Sequence, residues 1–200
     1  MVEFLNKHLI TQKELIHLDF KDSHYIKEIL EFHLPRFDEL PNIDLYMDQV
    51  LSIIENSLSI FSSESDENII TKSMINNYVK QNVIEKPCKK RYKKLHVSYL
   101  IIISVLKKVL SISEVSKIIN NQDYEVEDFY NMFCYELEYS LKNTFLDEVS
   151  DIVNYDNLQY NLIKDNIHNK ILVASIRAFA NKVYVQKLIK FNEDQTNQVE

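Results

Sequence analysis

The chain has 200 residues, of which 46% are hydrophobic and 26% are charged, and its net charge is −7. This composition argues against disorder and fits one compact globular unit, or a small domain with a helical appendage. It also excludes a membrane-spanning helix, because the longest apolar run, residues 97–106, is about half of the roughly 20 residues that a bilayer requires.

The chain contains no glycine, although average usage would give about 14 in a chain of this length. Phosphate-binding loops, dinucleotide fingerprints and nucleophile elbows all require glycine, because backbone without side chains must approach the substrate or make a sharp turn. These enzyme classes are excluded. The carboxylates between residues 136 and 151 are scattered, without a base or nucleophile beside them, and are interpreted as solubilising. We therefore expect no enzyme, no catalytic residue and no cofactor.

The cysteines and histidines do not form a metal-binding pattern. Cys88 and Cys134 lie in separate segments and have no ligand spacing with any histidine, so free thiols are expected. Cys88, which lies among lysines, is alternatively a redox-sensitive thiol. His17, His24 and His33 lack further ligands, so no metal site is predicted. The N-terminus has no pattern of a secretory signal, which predicts a cytoplasmic protein.

Residues 1–43 are interpreted as an N-terminal arm followed by an extended lead-in. Ile26, Ile29 and Leu30 give a short helical stripe in the arm. The lead-in lies between Pro35 and Pro41, which a helix cannot pass through.

Residues 44–120 contain four predicted helices. The first covers residues 45–61 with Asp44 as its cap, on the basis of apolar residues at helical spacing. The second covers residues 71–81, with Thr71 as N-cap and Asn82 in the left-handed conformation that usually requires glycine. A buried helix follows at residues 97–109. The fourth helix opens with a capping box formed by Ser111 and Glu114.

Between the second and third helices, residues 83–94 are predicted to form a small β-hairpin, or wing. Pro87 lies near its middle, and basic residues crowd its second half. The order of a polar-to-basic helix, a basic wing and two further helices is typical of a winged helix-turn-helix. We therefore predict an all-α fold with a small β wing and C-terminal helices.

Residues 121–200 are predicted to be a C-terminal helical region. Apolar spacing indicates one helix after Asp123, as far as residue 145, and another over residues 156–191, and the last residues are predicted to be disordered. The second helix has a nearly all-apolar centre at residues 171–174, which must be covered by neighbouring helices or by another subunit.

Positive charge is concentrated in one part of this acidic chain. Residues 72–108 hold ten bases and one acid, a local balance of +9, so the remainder carries −16. A localised positive segment in a negative protein predicts a binding site for a polyanion.

The helix over residues 71–81 has two different sides when it is drawn at 100° per residue. Its outer side carries amides, a hydroxyl and lysines without a carboxylate, which suits a helix in the major groove of DNA, because amides pair with adenine edges. Lysines of the wing would contact phosphates. The candidate DNA-binding residues are Lys72, Ser73, Asn76, Asn77, Lys80, Lys89, Lys90, Arg91, Lys93 and Lys94. Taken alone, a lysine run or a polar helix face is more often an ordinary solvated surface.

Several of these segments resemble known families. The sequence from Thr71 to Tyr78, then Lys90, Arg91 and Tyr92, and the turn into Glu114 are similar to the winged helix-turn-helix of MerR proteins. MerR proteins usually carry arginine at the place of Asn76 and glycine at the place of Asn82.

A closer similarity is to the bacterial family numbered 1836 among domains of unknown function. Residues 34–41, 44–50, 71–80 and 86–92 match its signature almost continuously.

These observations predict a sequence-specific transcriptional regulator that binds duplex DNA as a homodimer, without membrane association and with an effector that the sequence does not identify. The alternative is a protein-interaction adaptor that uses the same surface to bind an acidic partner.

Overall fold

The computed structural model describes residues 19–62, 68–146 and 166–197. Within these ranges the chain forms seven α-helices, here numbered in chain order: α1 His24–Glu31, α2 Met47–Ser57, α3 Lys72–Lys80, α4 Lys94–Leu106, α5 Ile112–Asn120, α6 Val126–Leu146 and α7 Ile167–Asn197. Short 3-10 turns at Phe20–Asp22 and Ser59–Phe61 flank α1 and α2. The expected all-α class is confirmed.

The hydrophobic core is built around α4. From Val97 to Leu106 every side chain of α4 except Tyr99 is buried, and α2, α5, α6 and α7 pack against it. The helix can be buried on all sides because its middle consists of consecutive apolar residues, with two serines whose hydroxyls bond to carbonyls of the preceding turn. The prediction of a buried helix here is confirmed, with an earlier start and end.

The last two long helices, α6 and α7, run parallel to each other. Tyr124, just before α6, accepts a hydrogen bond from Asn169 near the start of α7. Further along, the rings of Phe145 and Tyr184 lie 5.1 Å apart, edge to face. Contacts therefore progress in the same direction along both helices. None of the described helices has the length and apolar character to cross a membrane.

The predicted helix over residues 156–191 is observed from Ile167 and continues beyond residue 191 to Asn197. Residues 156–165 and the last three residues, for which disorder was expected, lie outside the described part of the chain. In the apolar centre Leu172 is buried by neighbouring helices, whereas Ile171 remains 44% exposed.

The N-terminal segment contributes to the same core as the rest of the chain. Tyr25, Ile26 and Ile29 of α1 are buried, and α1 packs against α6. Residues 1–18 of the predicted arm lie outside the described part. The lead-in between the two prolines is non-helical, but the prediction of an extended segment is wrong for residues 37–40, which form a turn in which the Leu40 N–H donates to the Arg36 carbonyl.

A partly buried ion pair, with side chains 14% and 13% exposed, attaches the lead-in to α6. Arg36 donates to both carboxylate oxygens of Glu138, at 2.6 and 2.8 Å, and the backbone N–H of Leu34 also donates to this carboxylate. Burial alone would lower the pKa of Arg36, but the hydrogen bonds and charge of Glu138 raise it. Tyr130 adds a further bond from its hydroxyl to the Pro35 carbonyl.

The interpretation of the C-terminal carboxylates as solubilising is wrong for two of them. Glu138 holds the lead-in, and Glu136 is 3% exposed between α6 and α7, where it accepts a hydrogen bond from Ser140. Burial raises the pKa of Glu136. The remaining acids of this group, residues 147–151, lie outside the described part of the chain.

Both cysteines are free, as expected; Cys88 is exposed and Cys134 is buried. Burial raises the pKa of Cys134 to about 12.

We expect Glu138→Ala to lower the free energy of unfolding by about 3 kcal/mol, because it leaves a largely buried guanidinium and a backbone N–H without their acceptor. Urea unfolding would measure this loss. The matched control is Glu55→Ala on the exposed side of α2, for which we expect a change within about 0.5 kcal/mol. Equal, small effects of both variants would contradict a structural role for the pair.

Candidate nucleic-acid interface

Helix α3 forms as the sequence predicts. The Thr71 hydroxyl accepts a hydrogen bond from the backbone N–H of Met74, which caps the N-terminus. At the other end Asn82 has a φ of 55°, and the next residue, Val83, donates its N–H to the Tyr78 carbonyl. This is a Schellman arrangement with asparagine at the position that glycine usually takes.

The two sides of α3 also separate as expected. Ile75 and Tyr78 are buried, and burial raises the pKa of Tyr78. The outer side contains the five polar candidates of this helix, all of which are exposed: Lys72, Ser73, Asn76, Asn77 and Lys80. A continuous polar face of about 12 Å, the length of a nine-residue helix, is thus open to solvent.

The predicted β wing is not observed. The residues between α3 and α4, here called the basic loop (residues 81–93), contain one isolated bridge, between Cys88 and Arg91, and no strand. Val83 and Ile84 are buried instead of pairing with the second half of the loop. Tyr92 pairs with Leu45 in a second isolated bridge, so the backbone groups that would extend a hairpin are engaged with the chain before α2.

The tip of the basic loop is a two-residue turn built from lysines. The Arg91 N–H donates to the Cys88 carbonyl at 2.8 Å, and between them Lys89 and Lys90 have φ values of 48° and 62°. A turn of this kind needs both central residues in the left-handed region, which asparagine and glycine adopt at low cost. For lysine the left-handed conformation costs roughly 1 kcal/mol or more at each position. Two exposed cations are therefore presented at the expense of stability.

Arg91 and Lys94 are held by aromatic side chains that sequence patterns did not indicate. The Arg91 guanidinium lies 3.5 Å from the ring centroid of Tyr46 and donates to its hydroxyl at 2.5 Å. Lys94 lies 5.0 Å from the ring centroid of Phe37. Both contacts join segments about 45 to 60 positions apart in sequence, so no local signal could have revealed them.

The start of α2 lies between the basic loop and the N-terminus of α3. Tyr46, the N-cap of α2, contacts Arg91, and Asp48, two residues later, forms an ion pair of 2.5 Å with Lys72. The prediction that Asp44 caps this helix is wrong, because the bridge between residues 45 and 92 keeps the chain extended until Tyr46. The outer side of α3 and the basic loop, together called the basic surface, are thus brought to one region of the molecule.

Two further lysines of the positive segment are separated from this surface. Lys107 and Lys108 follow the C-terminus of α4, which is about 18 Å long, whereas Lys94 is at its N-terminus. The Lys108 carbonyl accepts a hydrogen bond from Lys182 of α7.

His96 supports the junction of the basic loop and α4. It is 4% exposed, and its Nδ1 accepts the backbone N–H of Lys93 at 2.9 Å, while its Nε2 has no hydrogen-bond partner. Burial lowers the pKa of His96 below its ordinary value of 6.5. The neutral ring therefore caps α4, in the same way that Gln49 accepts the N–H of Tyr46 at the start of α2.

The chain belongs to the family described as Domain of unknown function (DUF1836), whose profile matches residues 35–136. The match begins in the lead-in at Pro35 and ends within α6, and so includes the basic surface. No curated protein and no solved structure matches the chain.

We expect Lys90→Gly to raise the free energy of unfolding by about 1 kcal/mol, because glycine adopts a positive φ without steric cost. Chemical denaturation would measure the gain. Lys86→Gly removes the same charge from the same loop at a position without positive φ, and it should lower stability. A loss of stability in both variants would contradict the strained turn.

We expect wild-type stability to decrease as the pH falls below about 6.5, because the unfolded chain protonates His96 while the folded chain keeps it neutral. His96→Gln retains an acceptor for the Lys93 N–H without titrating. Below pH 6.5 the wild type should lose stability relative to this variant by at most about 1.4 kcal/mol per pH unit, as measured by urea unfolding between pH 5 and 8. Parallel curves would contradict the proposed burial of a neutral His96.

Proposed function

We propose that this protein is a transcriptional regulator that binds duplex DNA in a sequence-specific manner, as a homodimer in the cytoplasm and without a catalytic step. The observation that carries the proposal is the lysine turn at residues 89–90, where two exposed cations occupy strained backbone positions. Strain of this kind tends to persist where a bound partner uses it.

The placement of other cations supports the same partner. Lys72 lies at the N-terminus of α3, and Lys93 and Lys94 lie at the N-terminus of α4. The N-terminal end of a helix is partially positive, so a cation there is stabilised by a nearby anion, a place that Asp48 already takes beside Lys72. Phosphate groups suit such positions, because free backbone N–H groups and cations both point towards the ligand. A row of phosphates along a nucleic-acid backbone could contact several of these lysines at the same time.

The side chains on the outer side of α3 support a role for this helix in recognising the base sequence. It presents two amides and a hydroxyl, which can bond to base edges, and it has no carboxylate of its own, although Asp48 of α2 is paired with Lys72 at its N-terminus. In the MerR-like arrangement that we propose for helices α2 to α5, the second helix, α3, would enter the major groove. The basic loop would take the place of a wing and bind the flanking backbone. On binding, Asn77 would lose the 3.4 Å hydrogen bond that it accepts from Gln81 and would bond to a base edge instead.

The test is fluorescence anisotropy on duplex fragments from the DNA upstream of the protein's own gene, with unrelated duplex as competitor. We expect log affinity to fall linearly with log salt concentration, by about 0.9 for each phosphate contacted. The double variant Lys89→Ala, Lys90→Ala should reduce this slope by about 2.

Lys107→Ala, Lys108→Ala is the matched control, because it removes the same charge from the far end of α4. It should leave the slope unchanged, and equal effects of the two pairs would indicate only a general dependence on net charge. Asn76→Ala should weaken binding to the preferred fragment by roughly 1–3 kcal/mol while leaving binding to unrelated duplex unchanged. If no duplex binds at low salt, the proposal fails, and an acidic protein becomes the partner to test for the basic surface.

A further inference from the structure

Helix α7 exposes an apolar stripe along its outer side. Four of its large apolar side chains are 44–62% exposed, and two alanines between them are also exposed. The stripe consists of Ile167, Ile171, Ala174, Ala178, Val185 and Ile189. At 100° per residue all six fall within a sector of about 60°, so they form one narrow seam over about 33 Å. Such a seam is the shape that pairs with another helix.

The spacing of the stripe is symmetric about Ala178. Ile171 and Val185 lie seven residues before and after it, and Ile167 and Ile189 lie eleven residues before and after it. At four residues from Ala178 the two sides differ, since Ala174 precedes it and Lys182 follows it. The Lys182 ammonium donates to the Lys108 carbonyl at 3.0 Å, which holds this charge against its own chain.

We propose that this stripe binds the same stripe of a second copy of the chain, with the two α7 helices antiparallel and Ala178 on the two-fold axis. In this alignment Ile167 packs against Ile189 of the second copy, and Ile171 packs against Val185 of the second copy. A two-fold interface requires a surface that is complementary to itself after rotation, and the symmetric spacing provides this. The small side chain of Ala178 allows the helices to approach closely at the axis.

The lysines beside the stripe do not face one another in the antiparallel alignment. Lys170 lies opposite Gln186 of the second copy in this alignment, and Lys182 lies opposite Ala174 of the second copy.

The size of the stripe sets the concentration at which the pair should form. A contact about 33 Å long and one helix wide is at the small end of specific protein interfaces. We therefore expect a dimer that dissociates on dilution within the micromolar range. This inference names the surface for the homodimer of the proposed function, but it is measured without DNA, so failure of one leaves the other testable.

Sedimentation velocity of the full chain, from about 1 to 200 μM, tests the proposal. We expect a monomer–dimer equilibrium for the wild type, and at least a tenfold weaker dimer for Ile171→Glu. Ile43→Glu is the control, because it places the same charge on a more exposed isoleucine outside α7 and should leave the equilibrium unchanged. Circular dichroism would check that each variant is folded.

A compensating pair tests the orientation. Ile171→Lys and Val185→Glu should each weaken the dimer alone, whereas the double variant should restore it, because each lysine would meet a glutamate of the second copy. A parallel pair would instead oppose like charges and would not be restored. A wild-type monomer at all concentrations, or a dimer unaffected by Ile171→Glu, would overturn the proposal and leave the stripe to another occupant, such as the acidic residues 147–165.

Discussion

The burial of α4 is the constraint on which the rest of the described structure depends. A helix whose middle is apolar on every side must be covered all round, and four other helices provide that cover. The basic loop continues directly into α4, so the C-terminal end of the loop is held in place by the buried residue Val97. A rigid helix at one end of the loop allows strained residues to persist at its tip, because the conformation of the loop is determined by contacts elsewhere.

Polar contacts outside the hydrophobic core hold the lead-in and the basic loop in position. The pair formed by Arg36 and Glu138 holds the lead-in on α6, and the bridge between Leu45 and Tyr92 joins the chain just before α2 to the basic loop. These contacts are long-range in sequence and lie partly out of water, where losing one partner is costly. They connect the N-terminal segment to the basic surface, so α2 begins beside the residues that we propose bind DNA.

The basic surface places charge where folding alone would not favour it. Lysines in left-handed conformations cost stability, and Lys93 and Lys94 lie at the partially positive end of α4, where an anionic partner would offset their charge. At the same junction the ring of His96 caps α4, and its burial lowers its pKa. Natural proteins accept such local costs mainly where function requires them. The two left-handed lysines are a feature that a run of lysines on a solvated helix does not have.

Sequence alone determined most of the helices and several of their caps, because these depend on neighbours within four or five positions. Thr71, Asn82 and the capping box at Ser111 were found correctly, whereas Asp44 was wrongly expected to cap α2. It also determined which side of α3 faces solvent, through the helical period. Only the tertiary structure decided that the loop forms no β wing, that Tyr46 holds Arg91, and that α6 and α7 run parallel. These features depend on pairs of residues far apart in sequence, for which local propensity and periodicity carry no information.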